Sequence, residues 1–80
     1  MKKPQELSIE QQYLLTEIGK RVKDLRISKK MSYEDTAKAT GVARNAYYHL
    51  ENGNINFQFC TLQQVLKYHD ISLSDFFKGL

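Results

Sequence analysis

The sequence predicts an all-α fold, a compact bundle of five helices. Apolar residues recur at spacings of three and four along most of the chain, which is typical of helices with one buried face. Gly41 and Gly53 divide the middle of the chain into short helical segments. Three serines stand where a hydroxyl can cap a helix start, each with a partner three residues on: Ser8 with Gln11, Ser32 with Asp35, and Ser72 with Asp75.

The first helix is predicted to run from the cap at Ser8 to about Ser28. Its core stripe follows a helical spacing and consists of Leu15, Ile18, Val22 and Leu25. Three further apolar residues lie near its start and partly off this stripe: Ile9, Tyr13 and Leu14. We expect them to pack on the last helix of the same chain, and a second subunit is the alternative partner.

Residues 32–53 predict two short helices joined by a tight turn. The first begins at its serine cap and ends at Gly41, which can adopt a left-handed conformation without a Cβ penalty. The second begins at Arg44, buries Tyr47 and Leu50 on one face, and ends at the next glycine. Helices this short cannot lie antiparallel across so tight a turn, so we expect them to cross steeply as a helix-turn-helix.

The last part of the chain predicts two more helices after a connecting loop. The fourth helix is expected to start near residues 59–61, with Cys60 as buried filling, and to end where residues 70–72 break the pattern. The fifth is short and is expected to end at Gly79. The apolar positions of the fourth helix are Leu62, Val65, Leu66 and Tyr68.

The composition predicts one small domain. The 80 residues contain one cysteine, which cannot form an internal disulfide, and no apolar run long enough to cross a bilayer. We expect residues 1–7 to be a flexible tail, residues 8–80 to form a single domain, and the protein to be cytoplasmic, because the N-terminus lacks a signal sequence. The net charge of +3 favours an anionic partner, and ordinary solubility charge explains it equally well.

Four segments in a fixed order resemble one known family. They are Gly19-Lys-Arg-Val-Lys-Asp-Leu-Arg26, Met31-Ser-Tyr-Glu-Asp-Thr-Ala37, Gly41-Val42 and Leu50-Glu-Asn-Gly53. Their order and spacing resemble the phage-repressor, Cro-like (XRE-type) helix-turn-helix family over about residues 18–77. The resemblance implies a lambda-repressor-like DNA-binding bundle that acts as a repressor-like transcription regulator, binds double-stranded DNA sequence-specifically and forms a homodimer.

The same resemblance implies that the third helix, about residues 44–52, enters the major groove with its first residues against base edges. The base-reading residues it implies are Arg44, Asn45 and His49. Arginine can donate two parallel hydrogen bonds to guanine and asparagine can pair with adenine, each with roughly 1–3 kcal/mol of discrimination. The histidine is less selective, and without a nearby cysteine or second histidine it is not expected to bind a metal.

The resemblance further implies contacts with the DNA backbone around this helix, through helix-terminal amides, exposed turn amides and polar side chains. The residues expected to make them are Arg21, Tyr33, Glu34, Tyr48, Asn52, Gly53 and Asn54. Arg26 and Glu51 match family positions that form an ion pair beneath the third helix. We expect this pair to hold the helix in place without touching DNA.

Three residues depart from the family pattern. Tyr33 stands where glutamine is usual, Thr36 where leucine is usual, and Ala43 where a serine or threonine cap is usual. The missing cap is expected to cost the third helix about 1 kcal/mol. Of the two adjacent tyrosines that follow, Tyr47 is expected in the core and Tyr48 at the surface.

Two other classes of function remain open at this point. A protein-interaction or antitoxin-like module could use the same fold, and exposure of Tyr13, Leu14, Phe76 or Phe77 would favour it. An enzyme is the weaker option, because no spacing links the lone cysteine with either histidine and a small bundle offers little room for a pocket. The sequence contains no phosphate-binding loop or metal cluster, so we expect no cofactor and no small-molecule substrate.

Overall fold

The computed structural model describes residues 7–54 and 57–80. Within these ranges it contains no strand and five helices: α1 (Ile9–Ser28), α2 (Tyr33–Thr40), α3 (Arg44–Glu51), α4 (Phe59–Tyr68) and α5 (Leu73–Phe76). The predicted all-α fold is therefore confirmed. The expected tail at residues 1–7 lies outside the described residues except for its last position, as do residues 55 and 56 of the connecting loop. None of the described helices is both long and apolar enough to span a membrane.

Helix α1 begins and ends where the sequence predicts. The Gln11 amide donates to Ser8 Oγ at 3.1 Å, and the Ser8 amide donates back to Gln11 Oε1 at 3.0 Å, which completes the capping box. Val22 is fully buried at the centre of the predicted stripe, and Ile18 and Leu25 pack against the same core. The stripe thus fixes which side of α1 faces the bundle.

The first turns of α1 stand clear of the bundle. Ile9 is 91% exposed, Tyr13 59% and Leu14 39%. The expectation that they pack on the last helix is wrong, because α1 packs mainly on α3, which has only 8 residues and leaves the start of the longer helix uncovered. The face formed by these three side chains has no partner within the described chain.

The helix-turn-helix forms as predicted. Ser32 Oγ accepts a hydrogen bond from the Asp35 amide at 3.1 Å and starts α2. Gly41 ends α2 with a φ of +77°, and the Val42 amide donates back to the Ala37 carbonyl at 3.1 Å. The chain then enters α3 after one further residue, so the two helices are joined by a turn too short to let them separate.

Two buried threonines replace apolar packing on α2. Thr36 is fully buried, and its hydroxyl donates to the Ser32 carbonyl at 2.9 Å. The Thr40 hydroxyl donates to the Thr36 carbonyl at 2.8 Å. Both hydroxyls are therefore satisfied by the backbone of their own helix, which removes the cost of burying them. The Thr40 carbonyl accepts from Gln64 Nε2 of α4 at 3.0 Å, which fixes α4 against the end of α2.

Helix α3 lies at the centre of the bundle and packs against α1, α2 and α4. The contact with α1 is made by main chain at Gly19, where an added Cβ would overlap the Glu51 carbonyl oxygen and lie 3.0 Å from that of Leu50. Only glycine permits this approach. The buried apolar residues of the core are Val22, Ala37, Tyr47, Leu50, Leu62, Val65, Leu66 and Phe76.

The C-terminal helices follow the prediction with two corrections. Helix α5 ends at Phe76, about one turn before Gly79, and Arg21 of α1 donates from Nη1 to the carbonyls of Phe76 and Lys78 at 2.7 Å each. Cys60 is exposed, so its assignment to the core is wrong. The reason is the register of α4, whose next residues Thr61 and Leu62 turn to the core and leave the preceding position outside.

Candidate nucleic-acid interface

Helix α3 divides into a buried face and an exposed face. Tyr47 and Leu50 are buried in the core, whereas Arg44, Asn45 and Tyr48 are exposed. The predictions for the two tyrosines are confirmed. The outer face of α3 thus carries a cation, an amide and a phenol side by side, which is a set of groups that can donate hydrogen bonds to base edges and phosphates.

The start of α3 has no side-chain cap. Ala43 occupies the N-cap position with φ −60° and ψ 143° and makes no capping hydrogen bond, and the first turn contains no acidic residue. The first amides of the helix and the partial positive charge of its dipole are therefore not offset by a side chain of this turn. An anionic group that approaches the start of α3 therefore meets this partial positive charge.

Arg44 is held by two residues of α2. Its Nη2 lies 3.0 Å from Glu34 Oε2 and donates to the Tyr33 hydroxyl at 3.2 Å. The guanidinium carbon also lies 5.8 Å from the centre of the Tyr33 ring, within the range of a cation–π contact. These contacts, first the hydrogen bond with Tyr33 and then the charge of Glu34, raise the pKa of Arg44. Arg44 is thus preoriented while still accessible to a ligand.

The sequence does not predict this cluster, since it assigns Tyr33 and Glu34 only to contacts with phosphates. The structure brings both side chains to Arg44, since the tight turn sets the first turn of α2 beside the first turn of α3, and their phosphate contacts stay a prediction. Helical periodicity does not extend across a turn and so cannot predict the contact. The available signal is the pair of opposite charges in the first turns of two adjoining short helices.

Tyr48 and His49 continue the surface along α3. The Tyr48 ring centre lies 6.2 Å from that of Tyr33 and 6.2 Å from that of His49, both at tilted or edge-on angles. His49 is half-buried, and its Nδ1 is out of contact with water and without a hydrogen-bond partner among the described residues. Any contact of His49 with a base therefore falls to Nε2.

Asn45 stands beside Arg44 and is exposed. Its side chain makes no hydrogen bond within the ranges that the structure describes. Both the amide oxygen and the amide nitrogen are therefore available, as a bidentate contact with adenine requires.

The turn after α3 differs from its prediction. The expectation that Gly53 offers an exposed amide is wrong: the residue is buried with a φ of +69° against the backbone of Leu15 and Thr16, and its amide faces the Leu50 carbonyl at 3.4 Å. Asn52 is exposed and uses Nδ2 to close the helix, donating to the Tyr48 carbonyl at 2.8 Å. The Asn54 amide donates to the His49 carbonyl at 3.0 Å. The backbone amides of this turn thus donate hydrogen bonds within the chain.

Arg21 also has an internal role that the sequence did not indicate. Its Nη1 binds two carbonyls at the end of α5, as described above, and the side chain is only half-exposed. This contact closes the C-terminal segment onto α1. A phosphate contact by Arg21 stays a prediction and would have to use its remaining N–H groups.

Beneath the exposed face lies the ion pair expected of Arg26 and Glu51. Arg26 donates from Nε at 2.9 Å and from Nη2 at 2.8 Å to the two carboxylate oxygens, and from Nη1 to the Met31 carbonyl at 2.9 Å. The side chains are 15% and 10% exposed. The hydrogen bond with Glu51 raises the pKa of Arg26. One guanidinium thus joins the end of α1, the end of α3 and the loop before α2.

The buried hydroxyl of Tyr47 lies in the same region. It has no hydrogen-bond partner among the described residues that meets the usual geometry. Burial in the core, and next the nearby Glu51 carboxylate, raise the pKa of Tyr47 far above its ordinary value. The phenol therefore stays neutral and acts as core packing under α3.

Two open clefts lie on the surface formed by the described residues. One of about 350 Å³ adjoins Arg44 and has charged side chains at its rim; it is lined by Glu34, Asp35, Ala37, Lys38, Val42 and Arg44. Another of about 430 Å³ lies on α4 and its connection to α5. Among the residues that the structure describes, no group of three or more His, Cys, Asp or Glu side chains is placed to hold a metal ion.

Comparisons with known proteins agree with this geometry. A family model described as a helix-turn-helix domain matches residues 19–79, which leaves the exposed start of α1 outside the match. Among solved structures, the chain is similar to the restriction-modification controller protein C.AhdI from Aeromonas hydrophila, with a TM-score of 0.71 and 26% sequence identity over 81% of this chain and 98% of that chain. No curated protein matches the chain.

Proposed function

The chain belongs to the helix-turn-helix domain family, and on this premise we propose that it is a DNA-binding transcriptional regulator. The observation that carries the proposal is the outer face of α3, where Arg44 and Asn45 are exposed at the start of a helix that is otherwise anchored in the core. The similar protein from Aeromonas is a controller of restriction-modification, which supports a regulatory role for this chain.

In the proposed complex α3 lies in the major groove. Arg44 donates to guanine O6 and N7, Asn45 pairs with adenine N6 and N7, and His49 contributes through Nε2. Arg44 and Asn45 are adjacent in the first turn, so they would read neighbouring base pairs. The anchoring of α3 by main-chain contact at Gly19 and by the Arg26–Glu51 pair keeps these side chains at a fixed height above the bundle.

Contacts with the DNA backbone would set the position of α3 in the groove. Side chains around the outer face can supply them: the hydroxyls of Tyr33 and Tyr48, and the second N–H of the Asn52 side-chain amide. With so few cations at this surface, we expect the affinity to fall with salt less steeply than for proteins that bind by clusters of lysines.

We further propose that the protein acts as a homodimer in the cytoplasm. Paired helix-turn-helix domains bind two half-sites about 34 Å apart, one turn of the double helix, on an operator of matching symmetry. A dimer also doubles the small number of base contacts that a single α3 can make. Sedimentation or light scattering of the free protein, with and without operator duplex, tests this part of the proposal.

A purely protein-binding module receives less support. The exposed Tyr13 and Leu14 would suit it, but Phe76 is buried and Phe77 packs against the core, so the predicted C-terminal part of such a surface is not available. We also propose no catalytic activity, since Arg44, Asn45 and Tyr48 lie on the exposed face of a helix, which suits contact with a DNA groove. The family supports this choice.

The decisive experiment selects a duplex from a random pool and compares three variants on it by gel shift. Arg44→Ala and Asn45→Ala are each expected to weaken operator binding by about tenfold to a hundredfold, equivalent to roughly 1–3 kcal/mol, and to relax the preference at one base pair. Lys67→Ala removes one exposed positive charge from α4, so it serves as the charge-matched control and should bind normally. Equal binding by all four proteins would overturn the proposal.

A further inference from the structure

The contact between Arg44 and Glu34 has a consequence for how the protein distinguishes DNA sequences. This is one of two ion pairs in the described part of the chain, and unlike the pair beneath α3 it is exposed, with 64% and 55% of the two side chains accessible. An exposed ion pair contributes little to stability. Because this pair includes a proposed base-reading residue and adds little to the fold, we looked to DNA binding for its role.

Glu34 places negative charge where the DNA backbone would approach. It lies in the first turn of α2 together with Asp35, and both side chains are exposed. The dipole of a helix supplies only about half a positive charge at its N-terminus, which two carboxylates outweigh. A phosphate that comes close to this turn is repelled unless a cation neutralises Glu34, and Arg44 is the cation in contact with it.

Arg44 can read a base without leaving Glu34. In the free protein its contacts with Tyr33 and Glu34 both involve Nη2. A guanidinium has five N–H donors, so a two-point contact with guanine can replace the Tyr33 hydrogen bond while one hydrogen remains on the carboxylate. In this arrangement the charges of Arg44 and Glu34 still cancel, because the edge of a base is neutral.

A contact of Arg44 with a phosphate leaves a net negative charge around the arginine. The arginine then stands between two anions, and the carboxylate and the phosphate repel each other across a short distance. Non-specific binding depends almost entirely on phosphate contacts, whereas specific binding adds contacts with bases. The carboxylate therefore penalises the non-specific mode more than the specific one.

On these grounds, and resting on the proposed function, we propose that Glu34 is a specificity-determining residue that positions Arg44 for a base and opposes its use as a phosphate-binding cation. In the free protein Tyr33 assists by its hydrogen bond and its ring contact with the same guanidinium. The Glu34 carboxylate does not contact DNA itself. It favours the operator over other sequences because it weakens non-specific binding more than specific binding.

The test uses Glu34→Gln with Asp35→Asn as the matched control. Both variants remove one carboxylate from the same turn of α2, but only Glu34 contacts Arg44. Dissociation constants are measured by fluorescence anisotropy at several salt concentrations, for the selected operator duplex and for a random duplex of equal length.

For Glu34→Gln we expect binding to the random duplex to tighten about tenfold and binding to the operator to change less than about threefold, so that the ratio of the two affinities falls. The salt dependence on the random duplex should steepen by about one phosphate contact. Asp35→Asn should tighten both duplexes by similar factors. In an Arg44→Ala background, Glu34→Gln should no longer change the ratio.

An affinity ratio that is the same for Glu34→Gln and Asp35→Asn would overturn this inference, because the effect would then be one of net charge alone. That result leaves the proposed function intact as long as the wild type prefers its operator. Failure of the wild type to select any duplex would instead overturn the proposed function, and the inference with it.

Discussion

Arg26 and Glu51 form a two-point ion pair that connects the ends of α1 and α3, with Nε and Nη2 of the arginine at 2.9 and 2.8 Å from the two carboxylate oxygens. The guanidinium also donates to the Met31 carbonyl at the entrance to α2. Removing either side chain leaves an unpaired charge in a site with little access to water.

We expect Arg26→Ala and Glu51→Ala each to lower the free energy of unfolding by about 3 kcal/mol, the lower end of the range for buried pairs, because both side chains keep some exposure. The double variant should lose much less than the sum. Urea unfolding followed by circular dichroism measures this double-mutant cycle. Additive losses in the cycle would show that the two groups act independently.

Gly19→Ala tests the main-chain contact between α1 and α3. Alanine inside a helix usually stabilises it by roughly 0.5–1 kcal/mol relative to glycine. Here the added Cβ would overlap the Glu51 carbonyl oxygen, so the two helices must move apart. We expect a loss of about 1–3 kcal/mol and weaker operator binding, measured by thermal unfolding and gel shift.

Lys20→Ala is the control for this experiment, since it is the next residue of α1 and is exposed. It should change stability by no more than about 0.5 kcal/mol. A stabilised Gly19→Ala variant with normal DNA binding would contradict the close approach of the two helices.

Ala43→Ser should restore the missing cap of α3. The backbone at this position has φ −60° and ψ 143°, and a serine there could accept from an amide of the first turn. We expect a gain of about 1 kcal/mol in the free energy of unfolding, measured by urea denaturation. Ser32→Ala, which removes the cap of α2, should cost a similar amount. Unchanged stability of Ala43→Ser would show that the α3 amides are already satisfied.

His69 gives a pH dependence whose sign follows from its surroundings. Both ring nitrogens are out of contact with water and lack a partner among the described residues, and burial, then the charge of Lys29, lowers the pKa of His69 below 6.5. As the pH falls through 6.5, the imidazole of the unfolded chain takes up a proton that the buried imidazole of the folded chain does not. The free energy of unfolding should therefore decrease from about pH 7.5 to pH 5.5.

His69→Gln should show a smaller decrease over the same range of pH. Chemical unfolding at several pH values measures the difference, and titration of the imidazole by NMR gives the pKa directly. A titration midpoint of His69 at or above the ordinary histidine pKa would contradict this prediction. An equal dependence of the free energy of unfolding on pH for the two proteins would also contradict it.

Features that depend on neighbouring residues could be predicted from the sequence. The serine caps, the left-handed Gly41 and the separation of Tyr47 from Tyr48 are set within one or two turns of helix, where spacing determines geometry. The Arg26–Glu51 pair spans 25 residues and was accessible only through the family resemblance.

Features that depend on distant packing could not be predicted in this way. The exposure of Cys60 depends on the rotation of α4 about its axis, and the burial of Gly53 depends on how closely the turn approaches α1. The capture of Arg21 by the last helix joins residues 55 and 57 positions apart. Local spacing carries no information on such contacts, so exposed and engaged polar groups look alike in the sequence.

The glycine contact beneath α3 bears on how such a protein can be reprogrammed. Because α1 contacts the main chain of α3 at Gly19, the position of α3 does not depend on the identity of its exposed side chains. A library randomised only at residues 44, 45 and 48 should therefore keep the fold and yield members that select different duplexes. The same independence would let new operators be acquired in evolution by few substitutions.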